Sequence, residues 1–331
     1  MANFWDDKRI VITGAGGFIG SHLVERLVAE GASVKAFVRY NSRNDPGLLK
    51  LLSPEILSRI EIIGGDLRDA QAIFSLIDGC QYVFHLGALI SIPYSYLHPA
   101  EVAESNFIGT LNVLNACRMA EVEMLIHTST SEVYGTALHV PIDESHPLQG
   151  QSPYSASKIG ADKLAESFYS AFGLPVVTVR PFNTYGPRQS ARAVIPTIIT
   201  QAFAQQTIYL GNLETTRDFT YVDDTVDGFI KAAEAQDVDG TTINLGTGEE
   251  IKISTLADNI IEIIGSSANV EIDPKRLRPK DSEVFRLLSD NSKAFQLLGW
   301  EPKTTIEQGL KKTIEWITNH LDLYQVGKYE Y

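Results

Sequence analysis

The sequence of 331 residues is poor in cysteine, and Cys80 and Cys117 are the only two. Neither has the spacing of a metal-ligand set, so we expect no metal site and two small, buried apolar side chains. Long apolar runs are also missing, since no stretch reaches the ~18 residues needed to span a bilayer. The segment from Met1 to Arg9 lacks the apolar stretch of a secretory signal. These absences predict a cytoplasmic protein with no membrane partner.

Basic residues are the minority of the charged residues. Lysine and arginine number 28 against 41 aspartate and glutamate residues, which gives a net charge of −13. A phosphate backbone requires a basic face, so we expect no nucleic-acid partner. A nucleotide-sized ligand needs only a few local arginines and stays possible. The length is sufficient for two lobes with a sizeable core.

Apolar runs typical of buried parallel strands alternate with helical patterns along the chain. The strand-like runs lie at 9–13, 33–39, 60–63, 82–86, 124–128, 175–179 and 242–245. Helical patterns lie at 21–30, 69–77, 100–120, 154–172, 195–205, 254–264 and 305–319. This order predicts an α/β fold, a doubly wound parallel sheet of the Rossmann type with a smaller C-terminal substrate-binding lobe. We expect a dinucleotide-binding domain at 1–180, a further strand of it within 221–249, and a mainly substrate-binding lobe at 181–331.

A glycine-rich turn joins the first predicted strand to the first predicted helix. Gly14 would form the tight turn, Gly17 would let the backbone approach a pyrophosphate, and Gly20 would let helix and strand pack closely. Phe18 and Ile19 lie between them, at the start of the helix. This context predicts a dinucleotide site, although a glycine pattern alone is equally typical of a flexible turn.

The residues after the second predicted strand indicate which dinucleotide binds. NAD sites usually place an acid about 20 residues past the glycines, on the ribose 2′-hydroxyl. Here Arg39 takes that place, followed by Asn41, Ser42 and Arg43. Two arginines and a hydroxyl suit a 2′-phosphate, so we expect NADP, with NAD as the alternative.

Tyr154 and Lys158 are four residues apart and would share one face of a helix. An ammonium group there favours the phenolate, so Lys158 is expected to lower the pKa of Tyr154. A phenolate near neutral pH is a general base for removing the proton of an alcohol. Glu132, within a motif that runs from Ser129 to Gly135, adds a second candidate base, although a buried ion pair is the simpler interpretation.

The glycine pattern from Thr13 to Gly20, the Tyr154/Lys158 pair and the segment from Arg217 to Asp223 resemble extended short-chain dehydrogenase/reductases that act on nucleotide sugars. The resemblance implies that Tyr154 takes a sugar hydroxyl proton, that Lys158 contacts the nicotinamide ribose and that Thr130 holds the hydroxyl. It also implies a homodimer formed by the helices near 100–120 and 154–172, and a cofactor that is recycled. The implied cofactor contacts are Asp66, Leu67, Leu86, Gly87, Ala88 and Thr128.

The segment from Ser129 to Gly135 resembles the corresponding motif of the 4,6-dehydratases, with Ser131 where dTDP-glucose 4,6-dehydratases have an aspartate. In that family the glutamate removes the C5 proton and the aspartate protonates the leaving C6 hydroxyl. The flanking segments are most similar to dehydratases of nucleotide-linked N-acetylglucosamine in legionaminic- and pseudaminic-acid pathways. A 5,6-dehydratase, a 4-epimerase and a UDP-glucuronate decarboxylase stay open, as do a simple oxidoreductase and a non-catalytic cofactor sensor.

Substrate contacts are expected from polar residues that follow the strands. Arg217 and Arg278 match family positions that grip a pyrophosphate, a task to which arginine is suited by its paired hydrogen bonds. His85 and His127 lie within apolar runs and are expected to be core histidines. The further candidate substrate residues are Ser91, Tyr94, Asn183, Arg188 and Arg192.

Overall fold

The computed structural model describes residues 3–326. The predicted ranges 1–180 and 181–331, and the N-terminal segment that begins at Met1, reach into residues 1–2 and 327–331, which lie outside the described residues. The division into two lobes stays a prediction.

The strands alternate with helices along the chain, as predicted. The strands of residues 3–326 are β1 Arg9–Thr13, β2 Ser33–Arg39, β3 Ile60–Gly65, β4 Tyr82–His85, β5 Met124–Thr128, β6 Val176–Pro181, β7 Asn183–Tyr185, β8 Thr207–Leu210, β9 Thr216–Arg217, β10 Phe219–Tyr221, β11 Thr242–Leu245, β12 Ile251–Lys252 and β13 Asn269–Ile272. The helices are α1 Phe18–Ala29, α2 Pro54–Leu57, α3 Ala70–Ile77, α4 Ile92–Leu97, α5 Pro99–Ala103, α6 Gly109–Met119, α7 Pro153–Phe172, α8 Val194–Ala204, α9 Val222–Glu234, α10 Ile253–Ile264, α11 Ser292–Leu298 and α12 Ile306–Thr318.

Seven of these strands form one parallel sheet in the order β11-β6-β5-β4-β1-β2-β3. The order reverses between β1 and β4, and this confirms the predicted α/β doubly wound fold. Ile10 pairs with Val34 on one side and with Tyr82 on the other, so β1 lies in the middle of the sheet. Val11 and Ile12 are fully buried because helices cover both faces.

The carboxyl edge of this sheet is where ligands bind in such folds, and loops from several strands meet there. The chain returns to the sheet at β11, which pairs in parallel with β6. Outside this sheet, β8 pairs with β13 and β9 pairs with β12.

Two segments differ from the sequence prediction. Residues 100–120 form α5, a π-helical segment Glu104–Ile108 and α6 in place of one regular helix. The wider turn lets the buried Asn106 accept a hydrogen bond from the Leu89 amide at 2.7 Å and donate one to the Ser157 hydroxyl at 3.0 Å. Residues 216–224, to which the sequence analysis assigned no separate element, form β9, β10 and the start of α9.

No helix within residues 3–326 is both long enough and apolar enough to cross a bilayer.

We predict that Gly20→Ala destabilises the fold by about 1–3 kcal/mol, because overpacking at a backbone contact forces the elements apart. A Cβ at position 20 would lie 2.3 Å from the Gly14 carbonyl oxygen. Urea unfolding followed by circular dichroism measures the loss. Ala29→Ser, an exposed change on the same helix, should stay within about 0.5 kcal/mol. Equal stability of Gly20→Ala and wild type would contradict the prediction.

Candidate active site

A cleft forms where the carboxyl ends of β1 and β4 come together. A Cβ on Gly14, whose φ is +71°, would meet the Gly87 nitrogen at 2.8 Å, so only glycine allows this approach. Thr13 fixes the contact, because its hydroxyl accepts from the Gly87 amide at 3.0 Å and bonds to His85 at 2.8 Å. The backbone therefore forms the floor of the cleft.

The cleft has a volume of about 130 Å³, and it brings together six of the predicted cofactor residues. Its lining includes Gly14, Arg39, Asp66, Leu67, Gly87 and Ala88. The first turn of α1 begins beside it, with Gly17 at the N-cap and Phe18 and Ile19 half-exposed. A backbone floor and a helix N-terminus at the switch point of the sheet fit a dinucleotide with a pyrophosphate on that helix end. Leu86 joins β4 to Gly87 and is half-buried.

The loop after β2 makes most of its hydrogen bonds within itself. Asn41 accepts hydrogen bonds from the amides of Arg43 and Asp45 and donates to the Asp45 carbonyl, so its side chain closes the turn. Ser42 and Arg43 are exposed. Arg39 is one of the residues that line the cleft, and its guanidinium pairs with Glu101 of α5 at 3.0 Å. Of the four predicted residues, only Arg39 lines the cleft.

Asp66 follows β3 and is held ionised. A hydrogen bond from the Arg68 guanidinium is the largest cause that lowers the pKa of Asp66 to about 2. An anionic acceptor in the cleft suits the donors of an adenosine ligand.

Helix α7 carries Tyr154 and Lys158 into the site. Its start is fixed by a capping box between Ser152 and Ser155, with Pro153 in the first turn. Tyr154 is buried against Ile92 of α4 and Val102 of α5. The four-residue spacing places both side chains on one face, as predicted.

Lys158 is buried and donates to the Thr128 carbonyl oxygen at 2.6 Å. Burial lowers the pKa of Lys158 to about 8, and the Asp162 carboxylate opposes that change. The Thr128 hydroxyl is buried without a hydrogen-bond partner among the described residues. A buried hydroxyl in that condition is suited to a ligand at the end of β5.

The pKa of Tyr154 is raised, mainly by burial, with Glu132 and Asp162 acting in the same direction and Thr130 in the opposite one. The predicted lowering of the Tyr154 pKa is therefore wrong in its direction, and Lys158 is not among the causes of the shift. Its physical reason is that the helices packed over the phenol remove water from it, and desolvation disfavours the phenolate.

A short 3-10 turn, Ser131–Tyr134, presents the second candidate base. The Thr130 hydroxyl caps it by accepting from the Glu132 amide at 3.2 Å. Ser131 is buried, and Glu132 points toward Arg278, whose guanidinium is 3.4 Å from the Glu132 carboxylate. The ion pair considered as the simpler interpretation of Glu132 is thus present, but it is only partly buried, and the negative charge of Glu132 also raises the pKa of Tyr154.

Arg217 and Arg278 come together with Glu132 although they are distant in sequence. Arg217 is buried in β9, donates to the Thr216 carbonyl at 2.9 Å and lies 4.0 Å from Glu283. Burial lowers the pKa of Arg217. Burial acts against the charge of Arg278 as well, but Glu132 and Glu283 outweigh it and raise the pKa of Arg278. The pair is a basic patch suited to a diphosphate.

Three other predicted substrate residues lie near these elements. Asn183 begins β7 and its side-chain oxygen is buried without a partner among the described residues. Ser91 caps α4 by accepting from the Tyr94 amide at 3.3 Å. The Tyr94 hydroxyl donates to Glu101 at 2.5 Å and its ring packs in the cluster that contains Tyr154.

Arg188 and Arg192 have different contacts. The Arg188 guanidinium pairs with Glu25 of α1 at 2.5 Å, and Arg192 is exposed with a hydrogen bond to Ser190 at 3.3 Å. No contact of the described residues brings either arginine to Glu132 or Tyr154.

Cys80 and Cys117 are free and buried, as predicted, and burial raises the pKa of each thiol. His85 and His127 are buried, as predicted for core histidines. His85 is hydrogen-bonded through both ring nitrogens, whereas His127 is bonded through Nε2 and its Nδ1 has no partner among the described residues. No cluster of His, Cys, Asp and Glu in residues 3–326 is arranged to hold a metal ion.

Three residues near the site were missed from the sequence: Thr13, Asp162 and Glu283. The signal for Asp162 was available, because it continues the four-residue spacing of Tyr154 and Lys158 along α7. Thr13 and Glu283 act through tertiary contacts that no local pattern reveals.

Comparison with known proteins places this geometry in a family. The model of the GDP-mannose 4,6 dehydratase family matches residues 11–313. The UDP-glucose 4-epimerase of Mycolicibacterium smegmatis is 33% identical over 317 residues, which cover 94% of this chain and 99% of that protein.

Two solved structures are similar over nearly the whole chain. The UDP-N-acetylglucosamine 4-epimerase from Methanobrevibacter ruminantium M1, in complex with UDP-N-acetylmuramic acid, has a TM-score of 0.86 at 31% identity and covers 95% of this chain and 99% of its own. The dTDP-glucose 4,6-dehydratase DesIV from Streptomyces venezuelae, with NAD bound, has a TM-score of 0.85 at 28% identity and covers 96% and 99%. The chain therefore belongs to the GDP-mannose 4,6 dehydratase family, the nucleotide-sugar dehydratases and epimerases of the extended short-chain dehydrogenase/reductase type.

Proposed function

We propose that the protein is a nucleotide-sugar 4,6-dehydratase that acts on UDP- or GDP-N-acetylglucosamine and forms a 4-keto-6-deoxy sugar. The observation that carries the proposal is the position of Glu132, a carboxylate that acts on Tyr154 and pairs with Arg278. A simple oxidoreductase needs the tyrosine and the lysine but has no use for this second base. The likeness of the flanking segments to N-acetylglucosamine dehydratases supports the sugar.

Tyr154 would take the proton of the C4 hydroxyl, with Thr130 holding that hydroxyl in place. The bound dinucleotide supplies the acceptor for the C4 hydride, the positive ring charge that favours the phenolate, and the hydride returned at the end of the cycle. Lys158 would keep its ammonium beside the ribose while it donates to the Thr128 carbonyl. These residues account for an alcohol oxidation under general base catalysis.

Glu132 would then remove the C5 proton, which the C4 ketone makes acidic, and water would leave from C6. Arg278 would hold the carboxylate toward the sugar and, with Arg217, grip the diphosphate. Ser131 is a poor acid, so the proton for the leaving hydroxyl must come from Glu132 itself or from a water. Asn183, Ser91 and Tyr94 would line the sugar pocket, and Arg188 and Arg192 remain candidates for the nucleotide.

A 4-epimerase is the second candidate, favoured by Ser131 in place of the acid and by the epimerases among the relatives. It would use Tyr154 and Lys158 but no C5 proton abstraction.

For the cofactor we propose NADP, supported by Arg39 in the cleft lining and by Arg43 on the same loop. The ion pair with Glu101 neutralises part of the positive charge of Arg39.

We also propose a homodimer through α5, α6 and α7, supported by the exposed side chains of Met119 and Phe172 at the ends of α6 and α7.

Incubation with UDP- and GDP-N-acetylglucosamine should give a 4-keto-6-deoxy sugar from one of them, with no net change in cofactor absorbance because the hydride returns. NMR of the product distinguishes the outcomes. A gluco-to-galacto change without loss of water would identify the 4-epimerase. An alkene between C5 and C6 would identify the 5,6-dehydratase, and carbon dioxide release from UDP-glucuronate would identify the decarboxylase.

Glu132→Gln should slow exchange of the C5 proton with solvent deuterium by about 10²–10⁴-fold, the usual range for loss of a general base. The change keeps the side-chain size and removes the charge that accepts the proton. NMR of product formed in deuterated water measures the exchange. Glu55→Gln, an exposed carboxylate on α2, is the matched control and should leave it unchanged. Unchanged exchange in Glu132→Gln would remove Glu132 from this role.

Arg39→Ala should weaken NADP binding by about 10-fold and change NAD binding much less. A 10-fold loss corresponds to about 1.4 kcal/mol, which is the size expected for one charged contact. Fluorescence titration of the purified protein with both dinucleotides measures this. Arg59→Ala removes an exposed arginine elsewhere and serves as the control. Clearly tighter NAD binding by the wild-type protein would contradict NADP as the cofactor.

A further inference from the structure

Asp162 is a buried carboxylate one turn beyond Lys158 on α7, with a complete set of hydrogen-bond partners. One oxygen contacts His127 Nε2 at 3.1 Å. The other accepts from the Ser129 hydroxyl at 2.7 Å and from Arg180 Nε and Nη2 at 3.1 and 2.9 Å. A buried charge this fully bonded is held in one geometry.

These partners lie on different elements, and Asp162 therefore joins them. His127 belongs to β5, Ser129 directly follows it, and Arg180 lies near the end of β6. Arg180 also donates to the Tyr134 hydroxyl at 2.9 Å. Ser129 and Tyr134 are at the two ends of the turn that carries Thr130 and Glu132, so both ends of that turn are fixed to Asp162 directly or through Arg180.

Asp162 supplies the negative charge that favours the ammonium form of Lys158. His85 and His127 face Lys158 from β4 and β5, and burial lowers the pKa of each, so both are neutral at pH 7. Arg180 on β6 is a second cation bonded to Asp162.

On the other side of the site, the negative charge of Glu132 acts to raise the pKa values of Tyr154, Arg217 and Arg278.

Burial alone raises the pKa of Asp162, but the hydrogen bond from His127 and the charges of Arg180 and Lys158 outweigh it and lower the pKa. Asp162 is therefore the ionised carboxylate that opposes the desolvation of Lys158.

We propose that Asp162 is the positioning residue of this site: it keeps the Lys158 ammonium charged next to Tyr154 and fixes the turn that presents Thr130 and Glu132. In its catalytic consequence the inference rests on the proposed function. The charge of Lys158, however, can be measured without any substrate.

The test is the titration of Lys158 in protein labelled with ¹³C-lysine, followed by NMR and assigned by the signal lost in Lys158→Arg. In the wild type Lys158 should titrate near pH 8. Asp162→Asn, which keeps the shape and removes the charge, should move the midpoint down by on the order of one pH unit or more, the usual effect of an opposite charge nearby. Glu166→Gln, an exposed carboxylate one turn farther along α7, is the control and should not move it.

In Asp162→Asn, the loss of kcat/KM at alkaline pH, measured with the active nucleotide sugar, should occur at a lower pH. The shift should equal that of the Lys158 midpoint, since activity needs the ammonium. A shifted Lys158 titration with no nucleotide sugar turned over would support the positioning role and contradict the proposed function. A folded Asp162→Asn protein with an unmoved Lys158 midpoint would overturn the role of Asp162, whatever the reaction is.

Loss of Asp162 leaves Arg180 buried without its carboxylate, and Asp162→Asn alone can fail to fold for that reason. The double variant Asp162→Asn/Arg180→Met removes both charges of the buried pair. It is used for the titration if Asp162→Asn alone does not fold. Arg180 is not among the groups that shift the pKa of Lys158, so the same downward shift is expected. An unmoved midpoint in the folded double variant would equally overturn the proposal.

Discussion

The burial of one ammonium group, that of Lys158, constrains the polar structure at the carboxyl edge of the sheet. Removing such a charge from water is costly, and the protein offsets the cost with the Thr128 carbonyl and the nearby Asp162 carboxylate. Asp162 in turn needs donors, which β5 and β6 provide through His127 and Arg180. The positions of α7 and of the strand ends are thus linked by charge compensation as well as by apolar packing.

The cofactor half of the site depends on a different constraint, the close approach of two backbones. Gly14 and Gly87 meet at a distance that excludes a side chain, and Thr13 holds them with its hydroxyl. Backbone amides and a helix N-terminus bind a pyrophosphate without any basic side chain. An acidic protein therefore needs few basic side chains to bind a dinucleotide in such a cleft.

The sequence alone was sufficient to predict the elements that have a regular local pattern of apolar residues. Strands β1, β2, β5 and β11 were predicted to the residue because buried parallel strands are continuous apolar runs. Helix α7 was predicted to within one residue because of its regular spacing. The pairs Glu132–Arg278 and Arg39–Glu101 join residues 146 and 62 positions apart and have no local signature. The pKa of Tyr154 was predicted in the wrong direction for the same reason. The partner four residues away is visible in the sequence, whereas the desolvation comes from α4 and α5.

The two carboxylates near Tyr154 have environments that suit different roles. Asp162 is fully buried and every contact it makes favours its ionised form, so it is a fixed charge. Glu132 has a single, longer contact with a guanidinium that is itself partly exposed. A group that must take a proton from a substrate and release it again cannot have all its lone pairs occupied by the protein. The difference in hydrogen bonding therefore supports the structural role proposed for Asp162 and the proton exchange proposed for Glu132.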